Sequence, residues 1–206
     1  MRGHASKEEE ARISDLETRS DLRTSHLSDL LELGLMYQEP CHEEDRAILC
    51  FEAILARDPS CCLAKIWLAY VLLHYRMDSG SLRQARRLIQ PIIETSSRHR
   101  AAALKLTVDI GDDLGDLSSE EAMNLLYASV AAAPDWVYNR EILASHLARK
   151  KKTLEAIEQL TATLANIRPP DPSWGFAHRQ YEIFITGTSS DLAKARIAGR
   201  LAKLRT

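Results

Sequence analysis

Apolar residues recur at helical spacing along most of this chain, and proline or acidic turns interrupt them at intervals. Leu27, Leu30, Leu31, Gly34, Leu35 and Tyr37 form one such run, stopped by Pro40. Ala47, Ile48, Phe51, Ile54 and Leu55 line one side of the next, from Glu43 to Arg57, and Asp58–Pro59 closes it because proline disfavours a helical residue before it. The stretch Cys62 to Arg76 is apolar nearly all round, which predicts a helix covered on both sides. Ser81 and Gln84 match a capping box at the start of the following helix, in which Pro91 should introduce a kink or an early end. Arg98 to Ile110 predicts a further helix, followed by the turn GDDLGDLS and a second capping box at Ser118 and Glu121. Ala133–Pro134 ends that element, and Val137–Arg149 and Thr153–Ile167 then pair across the basic turn Lys150–Lys152. Beyond the proline-rich breaker at 169–172, Trp174 to Ile185 and Asp191 to Leu204 read as a last pair across a TGTSS turn.

A second pattern lies over the first. Gly34, Ala69, Thr107 and Ala144 stand 35, 38 and 37 residues apart, each preceded by leucine (Leu33, Leu68, Leu106, Leu143). Ala47, Ala85, Ala122 and Ala156 follow them by 13, 16, 15 and 12 residues, so each unit holds two small sites, one per helix. A period of this length marks helical hairpins that bury their apolar faces by stacking. Small residues on facing helices permit close approach of the axes, although an alanine-rich bundle of ordinary topology would also place them at contacts.

These positions resemble the tetratricopeptide repeat (TPR), whose loose consensus orders Leu-Gly, Tyr, Ala, Phe and Pro. The first unit matches best, with Leu33–Gly34, Tyr37, Ala47, Phe51 and Pro59 in order and one extra residue in the turn. The fourth keeps Leu143–Ala144, Leu147, Ala156 and Leu160, the second and third lengthen the turn, and the fifth pair hardly matches. The resemblance covers roughly residues 27–168 and implies an all-α fold, a right-handed superhelical stack of about four to five antiparallel hairpins. Residues 1–24 are then a charged N-terminal segment or leading helix, carrying only Ile13, Leu16 and Leu22 as a weak stripe, and residues 25–206 a single repeat domain with a C-terminal capping helix.

The resemblance further implies that the first helix of each hairpin lines an inner surface that holds another protein. With the leucines aligned, the inward positions are Leu31 and Leu35, Ile66 and Tyr70, Leu104 and Val108, and Glu141 and Ser145, with His74 added to the set. Most are apolar, and the Lys, Asn and Arg clamp by which some relatives grip acidic chaperone tails is missing. An apolar inner face accepts a hydrophobic or helical segment of a partner, is filled by the chain's own terminus, or is simply core. Replacing Leu31 and Tyr70 together by aspartate separates a surface from a core.

The 206 residues are 45% hydrophobic and carry a formal charge of −2 with both signs intermixed, which argues against a general grip on nucleic acid or an anionic membrane. The N-terminus lacks the apolar run of a secretory signal, and Ile66–Tyr75, bounded by Lys65 and Arg76, falls well short of the roughly 20 residues a bilayer requires. A cytoplasmic protein with reduced thiols is the expectation. Cys41, His42, Cys50, Cys61, Cys62 and His74 include zinc-ligand types but no C-x-x-C pair, so free, buried or half-buried cysteines are expected. Asp112, Asp113 and Asp116 lack the spaced ligands of a calcium loop. His74–Tyr75 and His178–Tyr181 have no nucleophile, phosphate loop or spaced carboxylate pair beside them. The basic residues Lys194, Arg196, Arg200, Lys203 and Arg205 decorate a final helix whose apolar face is Ala193, Ile197, Leu201 and Leu204.

The expected function is protein binding without catalysis, cofactor or metal, as an adaptor or dedicated chaperone, with a toxin-neutralising immunity role as the alternative. An enzyme with a His/Asp site would require a pocket joining His74 to the acidic turn. Self-association into a homo-oligomer is compatible with the pattern.

Overall fold

The computed structural model describes residues 7–38, 41–95, 99–134, 136–167 and 190–205, and among these the regular elements are all helical. The chain divides into two compact units, Met1–Pro91 and Ile92–Thr206.

In the first unit, α1 (Lys7–Arg19), α2 (Leu27–Gln38), α3 (Glu44–Arg57) and α4 (Cys62–Val71) pack in sequence. The weak stripe of the leading segment suffices to dock it: Ile13 and Leu16 are buried, while Leu22 lies in the following turn and stays exposed. Arg12 secures α1 to α2 through a bidentate pair with Glu32 (2.7 and 2.9 Å). The α2–α3 contact explains the glycine of the first repeat. A Cβ at Gly34 would stand 2.7 Å from the Phe51 ring and 3.1 Å from Cys50 Cβ, so the two backbones approach where any side chain would intrude.

α4 is buried through Ala64, Ile66, Trp67, Leu68, Ala69 and Val71, as its all-round apolarity predicts. It continues into a π-helical turn, Leu72–Arg76, that ends at Met77 with a left-handed φ of 54° and its N–H donating to Leu72 O at 3.2 Å. α5 (Ser79–Ile93) follows, and the unit boundary falls within it after Pro91. The capping box expected at Ser81 is not formed. Asp78 caps the helix instead, its carboxylate accepting from the N–H groups of Gly80 (2.9 Å) and Ser81 (3.0 Å) and from the Ser81 hydroxyl. A carboxylate one step outside the helix reaches several free amides at once, and Ser81 is thereby drawn into the first turn. Pro91 acts as a stop, because the helix ends two residues later.

The second unit contains α6 (His99–Leu114), α7 (Ser119–Ala132), α8 (Val137–Arg149), α9 (Thr153–Asn166) and α10 (Ser190–Arg205), with consecutive helices in contact. α6 runs one turn beyond the expected end at Ile110. Gly111 stays helical because Leu117 packs onto it, where an added Cβ would be 2.6 Å from Leu117 Cβ, and the reversal waits for Gly115 at φ +67°. The capping box of Ser118 and Glu121 forms as predicted, with both reciprocal bonds present. The small residues Ala122, Ala144 and Ala156 are buried together in the core. Ser129 ties three helices by donating to Ala101 O (2.8 Å) while accepting from Asn139 Nδ2 (2.7 Å). Of the last expected pair, the first helix, Trp174 to Ile185, lies outside the described residues, and the second, Asp191 to Leu204, is α10.

Candidate protein-binding faces

Six of the predicted inward residues, Leu31, Leu35, Ile66, Leu104, Val108 and Glu141, are buried within their own units; Tyr70 and Ser145 are half-buried and His74 is exposed. The face carried by the first helices is therefore open only in places, and two of those places have a defined chemistry.

In the first unit the open place is the end of α4. Tyr70 and His74 are one turn apart, and the widened π turn leaves their ring centroids 4.3 Å apart with the planes tilted by 60°. Trp67, beneath them, meets Tyr70 edge-on at 5.7 Å. The buried side of the helix anchors this aromatic ladder while its last ring faces solvent.

In the second unit the open place adjoins Glu141 and Ser145, and α10 occupies most of it. The Glu141 side chain is only 2% exposed. Arg196 Nε donates to its two oxygens at 2.8 and 3.1 Å and Arg196 Nη2 at 2.5 Å. Arg200 Nη1 lies 3.1 Å from Glu141 and donates to Ser145 Oγ at 2.9 Å. A buried carboxylate is tolerated because these charge-assisted bonds replace its lost hydration. Beside Arg200 remains a cleft of about 190 Å3, lined by Ala144, Ser145, Ala148, Leu160, Lys203 and Leu204.

Three further groups were not foreseen in the sequence. Lys105, buried on α6, pairs with Asp109 one turn on and lies 4.9 Å from the centre of the Tyr138 ring. Burial pushes the Asp109 carboxyl above its ordinary range despite that cation. On α8, burial and then Arg149 hold the His146 imidazole below its usual value. A cleft of about 210 Å3 in the first unit runs past Glu17, Leu22, Tyr37, Arg46, Leu49 and Cys50. There the Arg46 guanidinium lies 3.9 Å over the Tyr37 ring, and Tyr37 donates to Glu17 at 2.7 Å. Glu17 is held below the carboxylate range, first by that tyrosine bond. Cys50, at the floor, has its thiol pushed by burial up to about 12, which keeps it protonated and unreactive. Glu141, by contrast, stood in the sequence as an acid among apolar inward positions, and such an acid once buried calls for a cation such as Arg196.

The four cysteines are free, Cys50 buried and Cys41, Cys61 and Cys62 half-buried. Among the described residues no group of His, Cys, Asp and Glu is placed to hold a metal ion, and no helix is long and apolar enough to cross a membrane. His178 and Tyr181 lie outside the described residues.

No protein-family model matches the sequence, and no curated protein matches it. Among solved structures, one of the MamA RS-1 ArsTM double mutant is similar with a TM-score of 0.55 at 17% identity, over 76% of this chain and 84% of that one. A crystal structure of MamA protein is similar over 86% of this chain and 91% of that one, at 16% identity and a TM-score of 0.49. The first of these likenesses, to a TPR-like helical-repeat protein, agrees with the hairpin packing within each unit, and the chain is a degenerate TPR-like α-solenoid in fold.

Proposed function

We propose that this protein is a non-enzymatic interaction scaffold that takes a hydrophobic or helical segment of a partner protein on the faces of its first helices. The observation that carries this reading is the Tyr70–His74 ring contact, which runs from a half-buried tyrosine to a solvent-exposed imidazole at the end of a largely buried helix. Aromatic side chains anchored on a rigid element dominate protein interfaces because they bury much area for few rotatable bonds. The fold likeness supports a binding role as an adaptor or dedicated chaperone, and the buried titratable groups described above are engaged in packing. Cys50 is held as a neutral thiol, Lys105 is paired with Asp109, and His146 is buried.

The test is a photo-crosslinking amino acid placed at His74 in the full chain in its native host, with Leu154, 83% exposed on α9, as the control position. A discrete protein adduct at His74 that the Leu154 position does not give is expected. Identical adducts at both positions, or none at His74, would overturn the reading.

A further inference from the structure

α10 is joined to α8 by a matched pair of rungs. Arg196 and Arg200 are one turn apart on α10, Glu141 and Ser145 one turn apart on α8, and each arginine reaches its own rung while both reach Glu141. Beside the arginines run Ala193, Ile197 and Leu201, buried in one cluster with Leu143, Ala144, Leu147 and Leu160 of α8 and α9. The surface offered by α8 and α9 is thus an apolar field with an acid set into it, and α10 is its complement, an apolar stripe edged by two cations. That is the geometry of a helix laid in a groove.

The fit of α10 to this surface is incomplete. A cleft remains beside Arg200, between Ser145 and Ala148 of α8 and Lys203 and Leu204 of α10; Ala148 at its wall is half-buried, while Ala144 and Leu160 at its base are buried. On the opposite side of the helix Ala195, Ala198, Gly199 and Ala202 are exposed, and a Cβ at Gly199 would meet nothing within 4 Å. Both arginine side chains keep a third or more of their surface in water, at 34% and 44%. An element held along a narrow stripe with wet ion pairs belongs to the part of a structure that opens most readily.

We infer that the α8–α9 face is a receptor for a basic amphipathic helix of a partner protein, with two arginines four residues apart beside an apolar stripe, and that α10 occupies it in cis until such a helix displaces it. The inference rests on the interaction-scaffold reading and names the partner class for the second unit. Because α10 is tethered, it competes at an effective concentration of about millimolar. A partner present at micromolar concentration must therefore bind about a thousandfold tighter than α10 does, and a larger apolar side chain filling the cleft is the feature that supplies the difference.

The test uses the full chain and a fluorescent 16-residue peptide with the sequence of α10. In R196Q/R200Q, where the cis helix is weakened, the peptide should bind at least about tenfold tighter than to the unaltered chain, and adding E141Q should return it to the starting level. Binding to the double variant no tighter than to the unaltered chain, or equal binding of a peptide with glutamate at both arginine positions, would overturn the inference. A second measurement does not depend on the variants folding. In the unaltered chain, millimolar peptide should displace α10 about half of the time and so lower the hydrogen-exchange protection factor of its amides to about two, while α8 amides keep theirs. Unchanged protection of α10 would count against displacement. A host partner captured at His74 together with failure of both peptide experiments leaves the scaffold reading in place and removes this one.

Discussion

Replacing Gly34 by alanine sets two effects of opposite sign against each other, and the contact geometry decides between them. An alanine in a helix interior is about 1 kcal/mol more favourable than glycine, because it restricts the unfolded chain more. Against this, the new methyl group would stand 2.7 Å from Phe51 Cε1, 3.0 Å from Phe51 Cζ and 3.1 Å from Cys50 Cβ. Phe51 is fully buried and Cys50 Cβ is fixed to the α3 backbone, so neither swings aside, and α2 and α3 must separate by a few tenths of an ångström. Overpacking of this kind costs about 1–3 kcal/mol, which outweighs the propensity gain and leaves a net destabilisation of about 1 kcal/mol. Gly199 on α10 is the internal control, because nothing lies within 4 Å of its Cβ position, and G199A should stabilise α10 by about 0.5–1 kcal/mol. Hydrogen exchange of the slowest amides in α2, α3 and α10 reads both changes locally. The double variant G34A/F51L should recover part of the loss with a coupling of at least about 0.5 kcal/mol. A stabilised G34A, or additivity with F51L, would refute the claim that close approach is why the repeat carries glycine there.

Removing one guanidinium, R196A, should loosen α10 by about 2 kcal/mol, since Glu141 keeps Arg200 while water gains access, and unaltered α10 exchange would show the pair to be inconsequential. L31D should unfold the first unit, and H74D should leave it folded, as far-UV circular dichroism and urea melts will report; equal behaviour of the two would contradict their placement. For pH, the folded His146 imidazole is held below its ordinary 6.5, so its contribution to the second unit is full above that value and is lost as pH falls through the folded value. Asp109 acts oppositely, because its carboxyl is raised above 3.8 and its contribution disappears as pH rises through the folded value. The protection factors of α8 amides, taken relative to intrinsic exchange at each pH, should therefore fall on mild acidification and do so less in H146N, and equal slopes would remove His146 as the cause.

Much of the architecture could be read in advance from a few residues. Pro40, Asp58–Pro59 and Ala133–Pro134 delimit helices through local backbone sterics, and the helix Val137–Arg149 has the bounds its sequence implies. Ser118 and Glu121 cap because both partners lie within four residues of each other. The misjudged boundaries have non-local or competing causes. Gly111 remained helical because of Leu117 across a turn, and Asp78 displaced Ser81 as the cap because a carboxylate satisfies more amides than a hydroxyl. The inner-face positions follow from spacing along each helix, but spacing states only which residues share a face, and neighbouring helices decide how much of that face is covered.

The period of small residues by itself pointed to paired helices in close approach, because a 35–38-residue repeat of two small sites places one on each helix of a hairpin. Tertiary structure alone decided which parts of the repeated face remain available. Six of its residues became core, Tyr70 stayed half-buried and His74 exposed, while Glu141, one of the six, was closed over by arginines 55 and 59 positions further along the chain. Burial and ion pairing depend on what packs from a distance, which no local pattern encodes, whereas helix formation and close approach depend on residues a few positions apart.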